Sequence, residues 1–148
     1  MVSNILVLFT MSFSLLFSWH APVNSGFNLS DRNPASVFRR GLQMWESGDL
    51  SRFNEIVATD YVGHVASGNR DREGLRARIQ EFHKLYPDIH FDVEDQFGRG
   101  DKLVTRMRAR GTNSRTGAKI ELMGINISRI VKGKLVEEWA TWEPIAAK

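Results

Sequence analysis

A glutamate set among tryptophans on a strand is the feature of this sequence best placed to move a proton. Val136, Glu138, Ala140 and Trp142 alternate with Leu135, Glu137, Trp139, Thr141 and Glu143, and alternation sends the two sets to opposite faces. If the Glu138 face lines a cavity, its carboxyl stands against aromatic walls and burial raises its pKa toward acid–base range. If that face meets solvent, Glu138 is an ordinary strand glutamate. Tyr61 and His64 form a second group just after a helix. His64 is either a general base or donor to a ligand oxygen, or a histidine satisfied at a loop surface. Asn126, across a hairpin from Glu138, is placed to orient a carbonyl or a water. Arg106 shares a strand face with Arg108 and Arg110. That row is either an anion site or a solvated face paired with Asp92, Glu94, Glu137 or Glu143. Trp45, Trp139 and Trp142 serve as core or as ligand platforms.

Other chemistries find little support. With no cysteine, the chain has no disulfide, thiol nucleophile or thiolate metal site. No pair of histidines has ligand spacing and no His/Asp cluster suggests a metal; no motif points to a nucleotide, and no cofactor is expected. A net charge of +3, from 20 basic and 17 acidic residues that interleave, does not argue for nucleic acid. The chain is 42% hydrophobic and 25% charged, the balance of a globular domain.

The elements that must position these residues read as helices first and strands second. Asn33-Pro34 opens a helix over Ala35–Glu46, with Val37, Phe38, Gly41, Leu42 and Trp45 at helical spacing. A second helix is expected over Leu50–Ala58. A loop follows at Val65–Arg70, then a third helix over Asp71–Leu85, stopped by Pro87. Four strands complete the chain: Ile89–Gln96, Lys102–Thr112, Ala118–Val131 and Lys134–Trp142. The last two form a hairpin about Lys132-Gly133. Short connections make consecutive strands antiparallel neighbours. Apolar residues on both sides of Ala118–Val131 suggest a strand buried on both faces. The expected class is α+β: three N-terminal helices packed on a curved antiparallel sheet of about four strands, a cone-shaped barrel with a central pocket.

Residues 1–25 carry no Lys, Arg, Asp or Glu and are nearly all apolar or small over Ile5–Trp19. They read as a signal peptide rather than a membrane span, with small residues at Val23-Asn24-Ser25 for cleavage. Residues 26–34 then form a polar linker and 35–148 the folded domain, expected to be secreted. Asn28-Leu29-Ser30 and Asn126-Ile127-Ser128 match the glycosylation sequon, the second inside a predicted strand.

Several local words occur in family order. They run Trp45-Glu46-Ser47-Gly48-Asp49-Leu50, Tyr61-Val62-Gly63-His64, Arg72-Glu73-Gly74-Leu75-Arg76, Tyr86-Pro87-Asp88, Gly124-Ile125-Asn126-Ile127-Ser128-Arg129-Ile130 and Gly133-Lys134-Leu135-Val136-Glu137-Glu138-Trp139. From about Val37 to Glu143 this series resembles the SnoaL-like polyketide cyclase family. The resemblance implies the cone-shaped fold shared with ketosteroid isomerases and nuclear transport factor proteins, a buried apolar pocket, no metal, and often a dimer. It also implies acid–base chemistry, since cyclases of this family close a polyketide ring by an aldol step through a cavity aspartate. In the usual pattern one Asp follows the Trp of the last strand and another ends it. Here those places hold Ala140 and Glu143. His64 keeps the family's histidine, Asn126 replaces a common Asp, and Glu138 stands where His is frequent.

The sequence therefore leads to a domain binding a small apolar, carbonyl-bearing molecule. His64 and Glu138 are its candidate proton-transfer groups. Tyr61, Asn126, Trp45, Arg106 and Trp142 are candidate ligand contacts. The rivals are a carrier without turnover, which Ala140 favours, and an oligomeric scaffold using the sheet's outer face, where a homodimer would form.

Overall fold

A computed structural model describes residues 33–145. The expected signal peptide and most of the linker lie outside the described residues. Helix α1 spans Pro34–Ser47, α2 Phe53–Ile56 and α3 Arg72–Leu85. The strands are β1 Val57–Val65, β2 Gly68–Asp71, β3 His90–Arg99, β4 Lys102–Thr112, β5 Lys119–Val131 and β6 Lys134–Pro144. They form one sheet in the order β2-β1-β6-β5-β4-β3.

Local chemistry sets the helix ends. Asn33 Oδ1 accepts from the Ala35 N–H at 2.9 Å, and Pro34 fills the first turn, where a missing N–H costs nothing. Gly48, at φ 69°, ends α1 in the left-handed region and donates to the Met44 carbonyl. Asp71 Oδ1 caps α3 by accepting from the Gly74 N–H at 2.8 Å, while His83 and Lys84 occupy its last turn. Both helices turn their apolar stripes to the sheet's inner face. There Val37, Phe53, Ile79 and Met107 are buried to 1% exposure or less.

The expected architecture holds as α+β with a curved sheet, but the sheet has six strands, not four. Helix α2 is a single turn. Asp49 accepts from the backbone and hydroxyl of Ser51, a local turn that competes with helix, and Val57-Ala58 already belong to β1. The expected loop at Val65–Arg70 is the corner of the β1–β2 hairpin, so α3 follows two strands instead of preceding the sheet. The sheet is also not wholly antiparallel, because β1 and β6 pair in parallel. Finally, β5 is buried on one face only: Ile125 and Ile127 are 45% and 36% exposed on the outer side.

Among the described residues no helix is long and apolar enough to cross a membrane.

Candidate active site

The inner face of the sheet and helices α1 and α3 enclose a cavity of about 440 Å³. Its wall is aromatic: Phe38 and Trp45 from α1, Phe82 from α3, Phe91 from β3 and Trp142 from β6. Trp45 meets Phe82 edge-on at 5.7 Å, and Phe91 meets Trp142 at 5.9 Å. Trp142 fits because its register partner on β5 is Gly124. A Cβ at that glycine would stand 2.5 Å from the indole.

Glu138 supplies the carboxylate of this wall. Asn126 Nδ2 donates to its Oε1 at 2.9 Å and Ser128 Oγ to the same oxygen at 3.3 Å, while Tyr61 Oη donates to Oε2 at 3.4 Å. Register explains the cluster: Ser128 is the cross-strand partner of Glu138 on β5, and Gly63 its partner on β1. Burial among apolar walls raises the Glu138 pKa, against the hydrogen bonds of Asn126, Ser128 and Tyr61 and the charge of Arg70. Burial, and then the charge of Glu138, push the Tyr61 hydroxyl far above its ordinary value, so it stays a donor. Asn126 Oδ1 is buried with no hydrogen-bond partner in the protein. A carboxyl so placed keeps its proton to higher pH than an exposed glutamate and can exchange it with a ligand.

The predicted residues divide between the faces of the sheet. Glu138, Asn126, Tyr61, Trp45 and Trp142 line the cavity, and Ala140 lines it without a polar group. His64 does not reach it. On β1 the cavity-lining residues are Val57, Tyr61, Gly63 and Val65, so alternation along Tyr61–Val65 turns His64 outward. There its Nδ1 meets Asn69 Oδ1 and its Nε2 meets Glu137 Oε1, both at 3.0 Å, and its ring stacks on Trp139 at 4.9 Å. Both partners are acceptors, which suits imidazolium. The bond to Glu137 raises the His64 pKa, and the bonds from His64 and Arg129 lower that of Glu137. Arg106 also lies away from the cavity: it pairs with Glu94, as does Arg108, while Arg110 pairs with Asp92. The structure thus joins Glu138 to Asn126 and Tyr61, and separates it from His64 and Arg106.

Sequence reasoning passed over Ser128, Gly63, Arg70 and Arg78. Ser128 was reachable from hairpin register alone. Arg70 was not, because nothing in Gly68–Asp71 signals a strand. Gly63 has a steric role: a Cβ there would stand 2.5 Å from Tyr61 Oη. We expect Gly63→Ala to displace that hydroxyl from Glu138 and so raise the carboxyl pKa further, with Tyr61→Phe acting the same way. Carbon-13 NMR titration of the Glu138 carboxyl measures this; an unmoved midpoint in both variants would remove Tyr61 from the site. Among the described residues no group of three or more His, Asp or Glu is arranged to hold a metal ion.

Comparison with known proteins agrees with this architecture. The sequence pattern of SnoaL-like polyketide cyclases matches residues 35–147. The structure resembles IdmH of Streptomyces antibioticus, a candidate polyketide cyclase, with 31% identity, a TM-score of 0.68, and coverage of 75% of this chain and 92% of that one. A loop-truncation variant of IdmH gives 32% identity and a TM-score of 0.65, over 74% and 92% of the two chains. A candidate polyketide cyclase of Bacillus cereus gives 27% identity and a TM-score of 0.66, over 74% of each chain. No curated protein sequence matches. Six strands curved around a carboxylate-bearing apolar cavity, together with a family pattern spanning residues 35–147, place this chain in the SnoaL-like polyketide cyclase family.

Proposed function

We propose that the cavity binds a small, largely apolar carbonyl compound and that Glu138 moves a proton on it, in a step of the aldol or isomerase type. The observation that carries this reading is a carboxyl held by Tyr61, Asn126 and Ser128 inside an aromatic cavity. In the aldol version the Glu138 carboxylate takes a proton from the carbon beside a carbonyl. The resulting enolate carbon attacks a second carbonyl of the same molecule, forming one C–C bond. The proton then passes from Glu138 to the new alkoxide, so the acid–base group ends as it began. In the isomerase version the proton returns to a different carbon. Asn126 and Tyr61 hold the carboxyl in position, and Trp45 and Trp142 pack the apolar body. Incubation with a cyclic 1,3-diketone in D₂O tests the reading, since a working base exchanges the α-protons faster than buffer does.

A carrier without turnover is the second reading, favoured by Ala140, which lines the cavity without a polar group at the place where the family resemblance implies an aspartate. Ligand binding with no exchange would establish it.

The reading includes a homodimer through the outer face of the sheet. Phe97, Val104, Ile127 and Trp139 are successive register partners across β3, β4, β5 and β6 and form one outward row. Phe97 is 63% exposed, and covering such a row removes apolar surface from water. Light scattering should give twice the chain mass, and Phe97→Glu should return it to one. A monomer at tens of micromolar would refute the dimer.

A further inference from the structure

The cavity holds two guanidinium groups that the proton transfer does not use. Arg70, at the end of β2, and Arg78, on α3, both line it. Their neighbours on α3, Arg72 and Arg76, pair with Glu73, and the arginines of the outer face pair with Glu94 and Asp92. Among the described residues no carboxylate lies in ion-pair contact with Arg70 or Arg78. Arg70 is half-buried and has no such ion pair to offset its lost hydration, the Glu138 charge acting on it only at longer range. Such a group is stabilised by whatever anion enters.

Register shows which part of the cavity Arg70 serves. Gly63 pairs with Arg70 on one side and with Glu138 on the other, so the three form one row across β2, β1 and β6. Strand spacing puts the Arg70 and Glu138 backbones about 10 Å apart; Gly63 contributes no side chain between them, and the Tyr61 hydroxyl stands over that glycine beside Glu138. The Arg70 stem lies along α3, where a Cβ at Gly74 would stand 2.8 Å from its Cγ. Arg78 is exposed at the rim, its guanidinium carbon 5.2 Å from the centroid of the Phe82 ring. The acids lining the cavity are Glu138 and Glu143. Glu143 lies five residues along β6, about 17 Å from Glu138, so it does not neutralise Arg70.

We propose that the ligand is an acid: an apolar carbonyl compound whose carboxylate docks on Arg70, a few bonds from the carbon that Glu138 deprotonates. The proposal rests on the reading of the cavity given above and adds the charge of its ligand. A guanidinium fork takes both oxygens of a carboxylate and thereby fixes its orientation. That clamp aims the neighbouring carbon past the Tyr61 hydroxyl toward the Glu138 carboxyl. Arg78, at the rim, attracts the anion during entry and contributes through a longer range.

A matched pair of probes tests this by calorimetry on the full chain at low salt: 2-naphthoate and its uncharged analogue 2-naphthamide. The acid should bind about tenfold or more tighter than the amide. Arg70→Gln should bring that ratio close to one by weakening the acid far more than the amide, and Arg70→Lys should restore part of it. Arg78→Gln should weaken the salt dependence of naphthoate binding and lower the ratio less. Equal affinities in the wild type, or a ratio that survives Arg70→Gln, would overturn the proposal. Amide binding without any advantage for the acid would overturn it alone. Failure of both probes would overturn it together with the apolar-ligand reading. Thermal melts of each variant report folding, and if Arg70→Gln does not fold, the Arg70→Lys and Arg78→Gln ratios decide, unchanged values in both counting against the proposal.

Discussion

Glu138→Gln stops proton exchange while leaving ligand affinity nearly unchanged, and it makes the protein more heat-stable at neutral pH. The substitution preserves shape and still accepts from Asn126 and Ser128, but it cannot carry the proton. General acid–base catalysis contributes about 10²–10⁴-fold, so exchange should fall to the buffer rate. The stability effect follows from linkage. The Glu138 pKa is raised above its ordinary 4.5 in the folded protein, so the fold holds that proton more tightly than the unfolded chain does. The favourable contribution is complete below 4.5 and is lost as pH rises through the folded value. The variant should therefore melt at nearly the same temperature as the wild type in acid and above it at pH 8. Thermal melts across pH, alongside exchange rates by proton NMR, read both effects. If exchange persists in the variant, Glu138 is not the base. If the melting difference does not grow with pH, its charge is not paying a desolvation cost.

The second large effect lies in the core. Phe53→Ala should cost about 3–5 kcal/mol, a large share of the roughly 5–15 kcal/mol that holds a domain together. Phe53 is 0% exposed and opens α2, the single turn between α1 and β1. The Arg76 guanidinium carbon lies 4.2 Å from the centroid of its ring and that of Arg72 5.2 Å. Both arginines also donate to Asn54 Oδ1. One ring thus fills the core beneath α2 and seats the two cations that tie α2 to α3. Truncation leaves a cavity and unseats both. The melting temperature should drop by about 10–20 °C, and Phe53→Leu by much less. A loss under about 1 kcal/mol for the alanine variant would show that α2 is dispensable to the core.

The legible parts of the molecule were those whose signals are local. Asn33-Pro34 and Asp71 announce helix starts through their own capping chemistry, and the spacing of Leu75, Ile79 and Phe82 gives the buried face of α3. The long strands β4, β5 and β6 declare themselves by alternation. The same alternation puts Glu138 beside Trp142 and opposite Glu137. What local signals cannot supply is a partner distant in sequence. Gly68–Asp71 contains no apolar residue, so β2 is a strand only because β1 lies beside it. With β2 unseen, Arg70 read as loop and its row with Gly63 and Glu138 could not be drawn. His64 failed for a related reason. Read as lying in a loop after a helix, it could have faced anywhere, whereas on a strand its direction is fixed by Tyr61 and Gly63. The exposed faces of Ile125 and Ile127 show a further limit: a strand apolar on both sides announces burial without saying whether by its own chain or a second one.

The parallel pairing of β1 with β6 also dictates when the protein becomes competent. β1 spans Val57–Val65 and its partner Lys134–Pro144, so the two meet only after β3, β4 and β5 have been made. The loop between them must be closed before the pair can form, whereas the hairpins β3–β4, β4–β5 and β5–β6 need only short closures. That order of contacts favours this junction forming after them. Until then Tyr61 has no Glu138 to donate to, Arg70 has no row to complete, and β1 presents an open edge on which other chains can stack. A ribosome that stops before Lys134 releases a chain with neither a closed sheet nor Glu138. Chemistry and completeness are delivered by the same strand, and a nascent chain stays inert until that strand arrives.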